Sequence, residues 1–184
     1  ACTYLTRGRN VDCNRISGGI KAVYFAVFDQ ITSITYDSTV APNQVREIDD
    51  IDMGANSLYR YMLPLGVSSL TDTIVGSREN GTIYYTPTIN IIYNKLSRAD
   101  QAEISLLGAT KTVIFAQLNQ QLANGHDVIV ALGSVNGMEL NAGTMDSGAA
   151  WGDRNGYTLT FDGIEAQPFQ FVPDYTTNPF DNAG

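Results

Sequence analysis

The sequence predicts a mainly β protein, an antiparallel β-sandwich or barrel with one flanking α-helix, long hairpins and extended terminal arms. Three observations carry that reading. Four Asn–Gly dipeptides, Asn80–Gly81, Asn124–Gly125, Asn136–Gly137 and Asn155–Gly156, punctuate the 184 residues. Both residue types tolerate the positive φ of a two-residue type I′ hairpin turn, so the four together imply an antiparallel meander. The neighbouring segments alternate apolar and polar residues or are apolar on both faces, as strands do. Composition agrees: 17 Gly and 43% hydrophobic residues against only 16% charged describe a folded, turn-rich chain. This length suits one core, divided here into an N-terminal arm (1–17), a body (18–167) and a C-terminal arm (168–184).

Taken in order, the first seventeen residues show little periodicity. "IKAVYFAVF" and "ITSITY", separated by "DQ", read as a strand pair. "DSTVAPNQVREIDDIDMGANS" with Pro42 and Gly54, continuing into "LYRYMLP", reads as an acidic loop with one short strand at Gln44 to Ile48. "GVSSLTDTIVGSRE" and "TIYYTPTINIIYNKL" flank Asn80–Gly81 as a long hairpin, with Ile83, Tyr85, Ile89, Ile91 and Tyr93 on one face. Each flank exceeds the usual strand length of ~5–6 residues. Such a hairpin is expected to outgrow its own domain. Pro87 donates no ladder bond, which predicts a bulge there.

A helix near 97–107 follows: Ser97 caps it, Asp100 and Glu103 lie near its start, and Gly108 is expected in the left-handed stop position. Ala99, Ala102, Ile104, Leu106 and Leu107 supply its apolar stripe. "TKTVIFAQL" and "DVIVAL" are apolar on both faces and read as strands buried under that helix, with "NQQLANGH" as a protruding tip. Asn155–Gly156 reads as a hairpin turn opening a strand with Tyr157, Leu159 and Phe161 inward and Thr158 and Thr160 outward. In the C-terminal arm Pro168, Pro173 and Pro179 favour extended backbone, while Phe169, Phe171, Tyr175 and Phe180 call for a covering surface, as on a neighbouring subunit.

Charge and motifs narrow the chemistry. Net charge is −8, which argues against a cationic grip on nucleic acid. Arg7, Arg9, Arg15 and Lys21, near the N-terminus, give a basic arm ahead of an acidic body, a pattern that suits attraction between subunits. Cys2 and Cys13 lie in that arm and read as free thiols, a small disulfide loop being the alternative. The single His126 sits at a turn with no identifiable nucleophile. "EIDDID" lacks the Gly and distant Glu of a calcium loop. No Walker loop or dinucleotide fingerprint occurs. Neither a bilayer-length apolar run nor a signal peptide is evident, so the expectation is a cytoplasmically made protein without membrane anchoring, with no catalytic residue, cofactor or metal. The candidate sites are an acidic loop, Glu47, Asp49, Asp50 and Asp52, and an interface set, Trp151, Asp153, Arg154, Phe169, Phe171, Tyr175 and Phe180. There Gly148 to Gly152 is small enough for a second backbone to approach, Trp151 anchors it, Asp153 bonds backbone amides and Arg154 reaches an acidic neighbour.

The stretch "LGSVNGMELNAGTMDSGAAWGDRNGYTLTFDGIEAQP" (132–168), with "SGGIKAVYFAVFD" (17–29), "LTDTIVGSRENGTIYYTPTINIIYNKL" (70–96) and the helix after Ser97 in the same order, resembles structural proteins of tailed bacteriophages. Within that class it is most similar to tail tube proteins. The resemblance implies a tail-tube-like sandwich or barrel whose copies form hexameric rings, stacked into a tube, their sheets joining in a continuous inner barrel. It also implies partners: other virion tail proteins, and double-stranded DNA passing through the lumen without specific binding. The implied location is the virion tail, after synthesis in the host cytoplasm. The acidic loop, Glu47, Asp49, Asp50 and Asp52, is expected to face the lumen, making the tube an acidic conduit for DNA ejection, or to lie between rings. The alternatives are a head–tail adaptor, a tail terminator or a capsid decoration protein and, from a different class, a ligand-binding β-barrel.

Overall fold

A computed structural model of the chain describes residues 8–10, 17–36, 47–121 and 125–172. The elements are β1 (Ile20–Val27), β2 (Ser33–Tyr36), β3 (Ile48–Asp52), β4 (Tyr59–Met62), β5 (Ser69–Ser77), β6 (Thr82–Asn94), α1 (Arg98–Leu107), β7 (Thr112–Gln121), β8 (Asp127–Leu132), β9 (Glu139–Asp146), β10 (Gly156–Asp162) and β11 (Gln170–Phe171). Their pairings are antiparallel. They form a five-stranded sheet in the order β11-β8-β7-β1-β4, a four-stranded sheet in the order β5-β6-β10-β9, and the ribbon β2-β3. The fold is thus the mainly β, antiparallel sandwich with one flanking helix that the sequence predicts.

Alternation along β7 and β8 explains why both strands are apolar throughout. Ile114, Ala116, Val128, Val130 and Leu132 join Ile89, Ile91, Tyr157, Leu159 and Phe161 of the four-stranded sheet in one core. Val113, Phe115, Ile129 and Ala131 join Ile48, Met53 and Leu58, with Ile34 and Ile51 packed alongside, in a second core on the opposite face. Fully burying a side chain of this size contributes roughly 1.5–3 kcal/mol. The layer over the second face is therefore the β2-β3 ribbon and its flanks, not the helix expected there.

Several local expectations change. β1 and β2 do not pair. A 3₁₀ turn at Phe28–Gln30 carries the chain away, β1 lies between β7 and β4, and β2 pairs with β3. The acidic span is a strand, not a loop: β3 starts at Ile48, where the predicted strand ended, and residues 44–46 lie outside the described residues. Tyr36 pairs with Ile48 and Thr35 with Asp50, so Asp49 is the extra residue of a bulge. Ile48 and Ile51 thereby both turn inward despite their spacing. "LYRYMLP" likewise supplies β4.

The three Asn–Gly dipeptides among the described residues are not two-residue turns. The β5–β6 hairpin closes from Ser77 to Thr82, leaving Arg78 to Gly81 as its loop, and positive φ falls on Gly81 alone at 65°. Asn136–Gly137 lies on the crossover from β8 to β9, strands of different sheets. Gly156 is the first residue of β10, paired with both Asn94 and Asp146. Asn124 lies outside the described residues, with the tip of the β7–β8 connection.

Pro87 carries no bulge: β6 runs without a register shift against β5, with Asp72 opposite Pro87. The Pro87 carbonyl accepts from Gly163 N at 3.2 Å, which turns its nitrogen toward the β10 side just past the last β10 pair, Asp162 with Thr88. The ladder to β5 asks no donor of it. Beyond Pro87 the hairpin leaves the core, and Ile83, expected on the inward face, is exposed together with Ile74.

In α1 the Ser97 hydroxyl accepts from Asp100 N at 3.1 Å, the predicted cap. Gly108, however, is right-handed at φ −67°, ψ −20°. The stripe shrinks to Ile104, which is buried, and Leu107, which is half-buried, leaving Ala99, Ala102 and Leu106 exposed. The helix covers one side of the sandwich beside Phe25, Tyr61 and Tyr157. Its entry is held from β10: Tyr157 Oη accepts from Ser97 N at 3.0 Å and donates to Ser97 O at 2.8 Å.

Candidate assembly surface

The four-stranded sheet has long, uncovered edges. Among the described residues β5, nine residues long, pairs only with β6, and β9, eight residues long, only with β10. Neither contains Pro, and a row of unpaired N–H and C=O groups is a template for another strand. The five-stranded sheet ends instead in the four-residue β4 and the two-residue β11. The outer face of the four-stranded sheet follows from register. Thr158 and Thr160 stand outward opposite Ile92 and Asn90, and Thr71, Thr73 and Ser69 continue the row opposite Thr88, Thr86 and Asn90. Asp162 and Glu139 pair on the same face, where Asp162 accepts from Asn141 Nδ2 at 2.9 Å. This surface is a mat of hydroxyls and amides with Glu139 and Asp162 at one end and Asp146 at the other.

Residues 147–155 connect β9 to β10 and contain Trp151, Asp153 and Arg154 of the expected interface set. Asp153 bonds backbone amides as predicted, accepting from Ala150 N at 2.8 Å and Ala149 N at 3.1 Å. Those two bonds hold its carboxyl below the usual range. Asp146 accepts from Gly148 N at 2.9 Å. Among the described residues Arg154 reaches no acid but donates to Thr158 Oγ1 at 2.9 Å. Trp151, expected as an anchor, touches little of its own chain and is fully exposed. Asn155, which the sequence marked only as a turn residue, clamps the corner between β6 and α1. Its carbonyl accepts from Lys95 N and its Oδ1 from Leu96 N at 2.9 Å, bracketing Lys95 at φ 71°.

The other candidates lie apart. Glu47, Asp49, Asp50 and Asp52 are exposed on or beside β3, across the five-stranded sheet from the four-stranded one. Asp52 Oδ1 accepts from Gly54 N at 2.8 Å. Phe169 packs on the main core and Phe171, in β11, lies 5.9 Å from it ring to ring. The body of the fold thus continues past Pro168 to the buried Val172; Tyr175 and Phe180 lie outside the described residues, as do Cys2 and Cys13. No family model, curated protein or solved structure matches this chain. Among the described residues no cluster of three or more His, Cys, Asp or Glu residues is placed to hold a metal ion. None of their helices is long and apolar enough to cross a membrane.

One polar cluster went unnoticed in the sequence because its members are far apart there. Glu165 is buried, and its Oε1 accepts from Asn136 N at 3.1 Å and Val135 N at 3.3 Å. Asp72 Oδ2 accepts from Phe169 N at 3.0 Å, and its Oδ1 is buried without a partner. Burial raises the pKa of Glu165 more than the amides of Asn136 and Val135 lower it, and the charge of Asp72 adds to the rise. Burial likewise raises Asp72, opposed by the Phe169 amide. Carboxyls raised in the folded state contribute stability that is complete below their unfolded values near ~4 and is lost as pH rises through the folded ones. Glu165→Gln keeps the acceptor oxygen and removes the titration. Its melting temperature should exceed that of wild type at pH 8 and converge with it at pH 4, as read by thermal circular dichroism; a variant less stable at pH 8 would show that the carboxylate is needed charged. Asp127 has the opposite sign. Burial pushes it up, but hydrogen bonds from Lys21 at 2.6 Å and Gln117 at 2.7 Å, with the Lys21 charge, leave it lowered.

Proposed function

We propose that this chain is a structural subunit of a bacteriophage tail tube, self-assembling into stacked hexameric rings that form a conduit for DNA ejection from the virion. The observation that carries the reading is the pair of long open edges on the four-stranded sheet. Placing β5 of one copy against β9 of the next joins different surfaces, a heterologous contact that can close into a ring. A closed ring of sheets leaves no open edge and forms a barrel. The inner wall is then the mat of Thr, Ser and Asn with Glu139, Asp146 and Asp162, which gives passing phosphates few cations to hold. In this arrangement Glu47, Asp49, Asp50 and Asp52 lie on the outside, where they meet other tail proteins rather than DNA. A head–tail adaptor, tail terminator or decoration protein would use the same edges without stacking.

Electron microscopy of the purified chain tests the reading. Stacked rings with a central pore are expected. Single rings at high protein concentration would favour the adaptor, and a persistent monomer would overturn lateral edge pairing altogether.

A further inference from the structure

Trp151 is the only Trp in the sequence and the most exposed apolar side chain among the described residues. Its loop is not loose. The Asp153 bonds to Ala149 and Ala150, the return bond from Asp153 N to Ala150 O at 3.1 Å and the Asp146 bond to Gly148 fix the backbone around it. A large, rigid aromatic on a preordered loop loses little entropy on docking. At the other end of the same two strands lies a cleft of about 570 Å³, walled by Tyr84 and Ile164 and rimmed by Lys111, Glu139 and Asp162. β9 runs from Glu139 at the cleft to Asp146 at the loop, and β10 returns from Gly156 to Asp162. Knob and cleft therefore stand at opposite ends of one hairpin, roughly 25 Å apart at ~3.4 Å per residue.

We propose that Trp151 of one copy seats in the Tyr84–Ile164 cleft of a second copy, end to end along β9 and β10. The volume falls within the ~300–1,000 Å³ of small-molecule sites, ample for one indole ring, and a buried aromatic removes about 150–250 Å² from water. Charges agree in both directions. Arg154, held among the described residues by the Thr158 hydroxyl, approaches Glu139 and Asp162 of the second copy, while Lys111 approaches Asp146 and can lie on the indole face. Lys111 is available, since its own ion pair with Glu139 is long at 4.0 Å and exposed. Because knob and cleft are different surfaces, each added copy presents a fresh knob, and the contact propagates. This deepens the tube reading by supplying a ring-to-ring contact, and it rests on that reading only for the rings.

The single Trp makes wild-type protein its own probe. On assembly, Trp151 emission should shift to the blue and acrylamide quenching should fall at least several-fold; an unchanged spectrum in assembled protein overturns the contact. Trp151→Ala keeps the cleft and loses the knob, whereas Ile164→Arg keeps the knob and blocks the cleft. Each alone should show end-to-end association at least tenfold weaker by sedimentation velocity. Their equimolar mixture should restore one contact and stop at paired units. Tubes of normal length from Trp151→Ala would sink the inference and leave the tube reading standing. Paired monomers without rings from the mixture would support the inference and sink the tube reading.

Discussion

Gly156→Ala should lower the melting temperature by roughly 6–12 °C, following from an expected destabilisation of about 3 kcal/mol or more. A Cβ at this position would stand 1.9 Å from the Tyr93 carbonyl oxygen, 2.9 Å from its carbon and 3.0 Å from Asn94 Cα. All three are backbone atoms of β6 or its end, so no side chain can swing aside. Relief requires β10 to separate from β6, and that separation also disturbs the Asn155 bond to Leu96 and the Tyr157 bonds to Ser97. Gly152→Ala is the matched control. Gly152 has open space around it and no positive φ, so its cost should stay within about 0.5 kcal/mol. Thermal denaturation of the two variants side by side checks the close approach; equal melting temperatures would mean that β6 and β10 lie farther apart at this corner.

Ile74→Pro should abolish lateral assembly and leave the folded monomer within a few degrees of wild type. The difference lies in which way the backbone of β5 points. Tyr85 exchanges both of its bonds with Glu165, each at 2.8 Å, on the β10 side. Its β5 partner, Ile74, therefore turns its N–H and C=O away from β6 toward the open edge. A proline there removes a donor that the ladder to β6 does not use and places a ring where a further strand would lie. Losing one edge bond and its fit should weaken association at least tenfold, about 1.4 kcal/mol, at every contact around a ring. Thr73→Pro acts oppositely: opposite Thr86, its N–H belongs to the β5–β6 ladder, and the monomer itself should be destabilised. Light scattering with circular dichroism separates the two results. Rings of normal yield from Ile74→Pro would show that β5 is not the lateral edge.

The parts of this fold that were legible in the sequence are those with local causes. The inward row Tyr157, Leu159 and Phe161 is set by strand period, and the Ser97 cap by the short reach from its hydroxyl to Asp100 N. Partner choice was not legible. β1 selects β7, with Val23 opposite Ala116, and nothing local distinguishes that apolar strand from the nearer β2. The bulge at Asp49 hid β3, because the extra residue broke the alternation by which a strand is recognised. Asn–Gly was overread for a related reason. The dipeptide permits a tight turn, but the clamp that Asn155 forms on Lys95 and Leu96 needs a partner segment whose position only the folded chain supplies. At the candidate site the sequence marked Trp151 and Arg154, but not the cleft, whose walls Tyr84 and Ile164 come from different parts of the chain.

The two-residue β11 has a consequence for the order in which the molecule can be made. The four-stranded sheet uses residues up to Asp162, while β8 gains its outer partner only with Gln170 and Phe171, and Val172 N then bonds Ile129 O at 2.9 Å. A nascent chain emerges N-terminus first, so the β5–β6 hairpin, with its open edge, is exposed before the second core is closed. Among the described strands the last to leave the ribosome is thus the one that completes the five-stranded sheet. Translation thereby acts as a clock, and a chain released before Gln170 would carry both open edges of the four-stranded sheet on a body that is not yet finished.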